Sequence, residues 1–140
     1  MTLKATAETT AGRVAVIEHL AAPGFGSPLH VHRREHEWFS VTEGELTFSV
    51  GGTVITAPAG SFVYGPRDVP QTFMVTSAGN ARFLLVVEPA GFEDFVRRIG
   101  RRAATLTLPP PSDEPPDVAG LAAVAAQYGV EILGPPGIPG

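Results

Sequence analysis

The sequence contains no cysteine. Disulfides, thiolate nucleophiles, zinc–thiolate sites and iron–sulfur clusters are therefore excluded. The lack is consistent with a reducing, cytoplasmic setting. Charge is scarce as well: 17% of the 140 residues are Asp, Glu, Lys or Arg, and the net charge is -4. No basic block exceeds the short RRIGRR segment at 97–102. A phosphate-binding face, and with it a nucleic-acid partner, is not expected. Long apolar runs are missing. The longest, RFLLVVEPAGF at 82–92, falls far short of the roughly 20 residues of a membrane-spanning helix. The first ten residues, MTLKATAETT, lack the apolar core of a signal peptide. A soluble cytoplasmic protein without a membrane partner is expected.

What is present is apolar: 44% of the residues are hydrophobic. A chain of this length suits one domain, 1–140, burying roughly two thirds of its extended surface. A surface so poor in charge also leaves room for self-association.

Between residues 12 and 90 the chain alternates in period two, with turn residues at regular intervals. RVAVIEHL, LHVH, EWFSV, LTFSV, TVITA, FVY, QTFMV and ARFLLVVE each read as a short strand. Gly44 fits a turn at positive φ, and Gly51–Gly52 fit a tight hairpin. No helical period interrupts this region, which argues against a parallel βαβ sheet. The pattern changes in the extension 91–140. Phe92, Phe95, Val96 and Ile99 form one helical stripe, with Gly100 as its stop. Residues 104–108 read as irregular and the proline-rich 109–116 as a spacer. A second helix is predicted from Asp117, as its cap, to Tyr128, with Gly129 ending it. Its apolar side is Val118, Leu121, Ala122, Ala125 and Tyr128. VEIL at 130–133 fits a short strand or an extended tail.

The chemistry concentrates in HVHRREHEWF, residues 30–39. His30 and His32 are two apart, so in a strand they share a face. Glu37 follows five residues later and reaches the same centre if the strand bends. Two imidazoles and a carboxylate suit divalent iron, manganese, nickel, copper, cobalt or zinc, with positions left open for substrate or oxygen. Alternation places Phe39, Phe48, Phe62 and Phe73 around this centre as an apolar lining. His36, adjacent to Glu37, points to the opposite face and reads as a surface histidine. Trp38 faces away from the side of Glu37 by the same rule.

Gly24, His30, His32, Glu37 and Gly44 stand in the register of the first signature of the cupin superfamily. Gly52, Pro58 and Gly60 match the start of the second. The resemblance covers roughly residues 12–90. The segments PAGF at 89–92 and GPP at 134–136 resemble the tails of small single-domain cupins of the quercetin dioxygenase-like type. The resemblance implies an all-β, cupin-type jelly-roll barrel with two C-terminal helices, a metal inside it and a homodimer. It also implies a third metal histidine in the second signature. Here RDVPQTF puts Gln71 at that place, facing inward with Phe73 and Val75. Three outcomes stay open. Gln71 ligates the metal, or it contacts a bound water or substrate beside a two-histidine, one-carboxylate triad, or the metal is lost.

The resulting expectation is a metal-dependent oxygenase for a small aromatic or enolic substrate. His30, His32 and Glu37 hold the metal, Glu37 doubles as base, and Tyr64 and Gln71 orient the substrate. Two rivals differ in class. One is a metal-free or metal-optional isomerase, cyclase or dehydratase using histidine acid–base chemistry. The other is a small-molecule-binding protein without chemistry.

Overall fold

Apolar residues at every second position give strands with one buried face, and much of the chain between residues 15 and 88 follows that pattern. The computed structural model describes residues 1–100, 107–108 and 117–138. The segments read as irregular or spacer, 104–106 and 109–116, lie outside the described residues. Eight strands follow in the predicted places: β2 (Ala15–Ala21), β3 (Pro28–His32), β4 (His36–Glu43), β5 (Glu45–Val50), β6 (Thr53–Pro58), β7 (Phe62–Gly65), β8 (Gln71–Val75) and β9 (Ala81–Glu88). A strand β1 (Thr2–Ala5) and a single-turn helix α1 (Ala7–Thr10) precede them, and β10 (Val130–Pro136) follows the helical region. The β4–β5 turn places Gly44 at φ +74°, where a Cβ would also stand 2.7 Å from Asn80 O. Only glycine satisfies both demands.

The strands form two antiparallel five-stranded sheets, ordered β1-β2-β9-β4-β7 and β10-β3-β8-β5-β6. This corrects the expected jelly-roll barrel. Both sheets are open, with β1 and β7 as edges of the first and β10 and β6 as edges of the second. Closure requires a hydrogen-bonded ladder between such edges, and among the described residues none joins the two sheets. Side chains join them instead. Phe39 on β4 meets Phe48 on β5 edge-on at 4.9 Å, and Phe83 on β9 meets Phe73 on β8 at 5.3 Å. Ile17, Val41, Leu46, Val75 and Val87 complete this shared core.

Helix α2 (Phe92–Ile99) starts with Glu93 and Asp94 and ends with Arg97 and Arg98 before Gly100, charges that suit its dipole. Its fully buried Glu93 accepts a 2.9 Å hydrogen bond from the Ala7 N–H, tying α1 to α2. Helix α3 (Val118–Gln127) is capped by Asp117, which accepts from Gly120 N at 2.9 Å. Its Ala125 packs with Phe95 and Val130, while Val118 stays exposed. α3 leads into β10, which pairs antiparallel with β3, Val130 opposite His32 and Ile132 opposite His30. The strand carrying both histidines is thereby enclosed between β10 and β8.

Candidate metal centre

The centre is assembled from three strands. β3 brings His30 and His32, β4 brings Glu37, and β8 brings Gln71, which sits opposite His30 in the ladder. Ligand atoms of His30, His32 and Glu37 all lie within 4.8 Å of one another. The turn between β3 and β4 returns the chain so that Glu37 faces inward from the opposing sheet, the bend that the spacing demanded. His32 Nε2 contacts Glu37 Oε1 directly.

His30 is held in the ligating tautomer. His30 Nδ1 donates to the Pro28 carbonyl at 2.7 Å, which leaves Nε2 with its lone pair toward the centre. His32 Nδ1 faces the buried Glu35 Oε2 at 3.6 Å, an ion-pair approach without a hydrogen bond, while its Nε2 meets Glu37. A carboxylate or carbonyl behind a ligating imidazole is a recurring feature of metal sites. The donor chemistry, the mutual distances and the backing groups fit a divalent transition metal. Sequence reasoning missed Glu35. Its only signal is position, one residue before a histidine that faces outward.

Electrostatics separate the two histidines. Burial lowers His30, with the Glu37 carboxylate opposing. Burial also opposes protonation of His32, but Glu37 and Glu35 outweigh it and raise the imidazole to about 9. Burial pushes Glu37 upward, yet the neighbouring His32, His30 and His19 hold it below the usual carboxylate range.

Gln71 faces inward as predicted and is buried. Its Nε2 donates to Glu37 Oε1 at 3.2 Å, and its Oε1 has no hydrogen-bond partner. The amide braces the carboxylate.

A cavity of about 180 Å³ opens beside the triad, lined by His30, His32 and Glu37 together with Phe25, Phe39, Phe73, Phe83 and Leu85. Phe92 of α2 packs edge-on to His32 at 5.0 Å and helps close it. Of the expected lining, Phe39 and Phe73 face the cavity, while Phe48 sits behind them in the core. Phe62 and Tyr64 do not line it. The β4–β7 register pairs Phe39 with Val63 and Glu37 with Gly65, so Val63 and Gly65 point inward and their neighbours outward. Phe62 is 65% exposed, and Tyr64 donates or accepts a 2.7 Å hydrogen bond with His36 Nδ1 on the outer face. The expected substrate contact by Tyr64 is corrected accordingly. His36 and Trp38 face outward as read, with Trp38 stacked on Tyr64 at 5.2 Å.

Residues 17–87 match the family model of the cupin domain, half of the chain, and this match encloses the whole metal centre except the supporting helices. The chain belongs to the cupin family. A search among curated proteins finds no match to this cupin. Solved structures do resemble it. The protein TT1209 from Thermus thermophilus is 26% identical, with a TM-score of 0.53 over 56% of this cupin and 74% of that chain. The polyketide cyclase RemF from Streptomyces resistomycificus is 28% identical, with a TM-score of 0.50 over 58% of each chain. A predicted oxalate decarboxylase from Thermotoga maritima shares the fold at 21% identity, with a TM-score of 0.58 over 61% of this cupin and 75% of that chain. These neighbours do not single out the quercetin dioxygenase-like type. No helix among the described residues is long and apolar enough to cross a membrane.

Proposed function

We propose that this cupin is a metal-dependent oxygenase acting on a small aromatic or enolic metabolite bound between its sheets. The observation that carries the reading is the convergence of His30, His32 and Glu37 on one point at the wall of an apolar cavity. A divalent transition metal held by His30, His32 and Glu37 would supply Lewis acidity and oxygen-activating chemistry. The chain's own residues do the rest. His30 presents an Nε2 lone pair, fixed by Pro28, and His32 presents its Nε2 once the proton it shares with Glu37 has left. Glu37 is ionised at neutral pH and takes the proton of an incoming substrate hydroxyl. Gln71 keeps its carboxylate in place. Phe39, Phe73, Phe83 and Phe92 exclude water from the reacting atoms.

A second reading is isomerisation, cyclisation or dehydration by histidine acid–base chemistry. Two observations favour it. RemF, a polyketide cyclase, is 28% identical. His30 is lowered and His32 raised to about 9, so at neutral pH one can accept a proton and the other donate one.

Elemental analysis of protein purified without chelator from metal-supplemented cells, followed by oxygen-electrode screening of phenols and enols, tests the proposal. About one equivalent of a transition metal and oxygen uptake, both lost in His32→Ala, support it. Turnover without oxygen consumption selects the second reading. Saturable binding without product selects a non-catalytic role and sinks both.

A further inference from the structure

His19 on β2 takes no part in the triad, and no spacing or motif in the sequence marks it out. It lies on the inward face of the first sheet with Ala15 and Ile17, and it lines the same cavity. Phe83 stacks under its ring at 4.6 Å and 14°. Its Nε2 is buried without a hydrogen-bond partner. A buried polar atom normally has one, and leaving it unpaired carries the full cost of its lost hydration. Three other buried side-chain atoms among the described residues lack a partner, and all belong to the metal centre: His32 Nδ1, Glu35 Oε2 and Gln71 Oε1.

The register fixes where His19 stands. Glu37 and Ala15 both pair with Val87, whereas His19 and Val41 both pair with Phe83. Four residues of strand separate these rows, about 13 Å of backbone. Both side chains line the cavity. Between them the wall is Phe39, Leu85 and Phe73. The chamber therefore has a charged end, an apolar middle and the His19 imidazole at its other end.

We infer that His19 Nε2 is the second anchor of the ligand, binding a hydroxyl group at the end of a single-ring aromatic molecule whose other oxygen faces the triad. The assignment rests on the reading of this cavity as the substrate chamber. The volume sets the size: an apolar cavity of roughly 150 Å³ accepts benzene, so about 180 Å³ takes one ring with small substituents. The chemistry sets the group. Burial, with the N-terminal ammonium and against the pull of Glu37, lowers His19 to about 4. A neutral imidazole offers a carboxylate no counter-charge, and burying that charge is costly. A hydroxyl can donate or accept, so it satisfies Nε2 in either tautomer.

The test uses zinc-loaded full-length protein, the 1,2-, 1,3- and 1,4-dihydroxybenzenes, and the methylphenol of matching pattern for each. Imidazole nitrogen shifts are followed by NMR while each probe is titrated. At least one dihydroxybenzene should move the His19 Nε2 resonance and bind roughly tenfold more tightly than its methyl counterpart. His19→Phe, which keeps the ring stack, should abolish that preference while leaving zinc content unchanged. Equal affinities for hydroxyl and methyl probes, an unmoved His19 resonance, or no binding of any probe would overturn the assignment. Zinc content reads the metal centre separately, so a protein that takes up no metal yet shows the His19 shift loses the oxygenase reading and keeps this one.

Discussion

Gln71 donates from Nε2 to Glu37 Oε1 at 3.2 Å, and it can reach that position only because residue 65 is glycine. A Cβ on Gly65 would stand 2.1 Å from Gln71 Oε1. The glycine and the glutamine are one device: the first opens the space and the second fills it with an amide that steadies the carboxylate. Gly65→Ala should cost about 1–3 kcal/mol by overpacking. It should also weaken metal binding, because the displaced amide releases Glu37. Urea unfolding and metal titration on the same preparation check both effects. An unchanged metal affinity would mean that Gln71 does not support Glu37.

Glu35 backs His32 from 3.6 Å and is itself buried. Glu35→Gln should lower metal affinity by about 10–100-fold, the usual consequence of altering the partner of a ligating imidazole. Competition against a chromogenic chelator measures it. An affinity within about twofold of wild type would remove Glu35 from the site.

The raised pKa of His32 gives opposite pH trends with and without metal. Its folded value is about 9 against an ordinary 6.5, so the folded protein holds the proton more tightly. In metal-free protein this stabilisation is complete below about 6.5 and fades as the pH climbs through about 9. The difference in urea midpoint between wild type and His32→Gln, followed across that range, should shrink. Metal binding requires the same proton to leave. Apparent affinity should therefore rise by roughly tenfold per pH unit up to about 9 and then level. A flat pH profile for metal binding would contradict the ion pair.

Tyr64 and Phe39 differ by which face they occupy. Tyr64→Phe removes one exposed hydrogen bond to His36 and should cost no more than about 1 kcal/mol, with metal content unchanged. Phe39→Ala removes a ring 3% exposed that bridges the sheets and should cost about 3–5 kcal/mol. Thermal melts of the two variants separate outer face from core.

The strands β2 to β9 could be read from the sequence because most alternate and most are bounded by Gly or Pro, the Arg33–Glu35 turn between β3 and β4 being the exception. The cluster that could hold a metal was legible because His30 and His32 fall two apart within a single strand. What failed depends on pairing between distant segments. Phe62 and Tyr64 alternate as expected, but only the β4–β7 register decides which parity faces inward, and Val63 opposite Phe39 decides it. β1 is four residues long, and its register against β2 shifts between Leu3 and Ala5, too little for a periodic signal. β10 carries Gly134, Pro135 and Pro136 and shifts register twice against β3, so its local composition reads as a tail. Whether two sheets close depends on their edges, which no local pattern encodes. His19 sits in a strand that would be equally regular with leucine there; its meaning comes from the cavity it faces.

The pairing of β10 with β3 has a consequence for the order of events during synthesis. Val130 and Ile132 stand opposite His32 and His30, so the histidine strand has a bare flank until about a hundred further residues have been made. A ribosome-bound chain that has released β3, β4 and β8 holds every ligand yet lacks the strand and helix that cover them. The proposed site is thus complete only after translation, and a nascent chain halted before residue 130 should bind a divalent ion more weakly than the full chain.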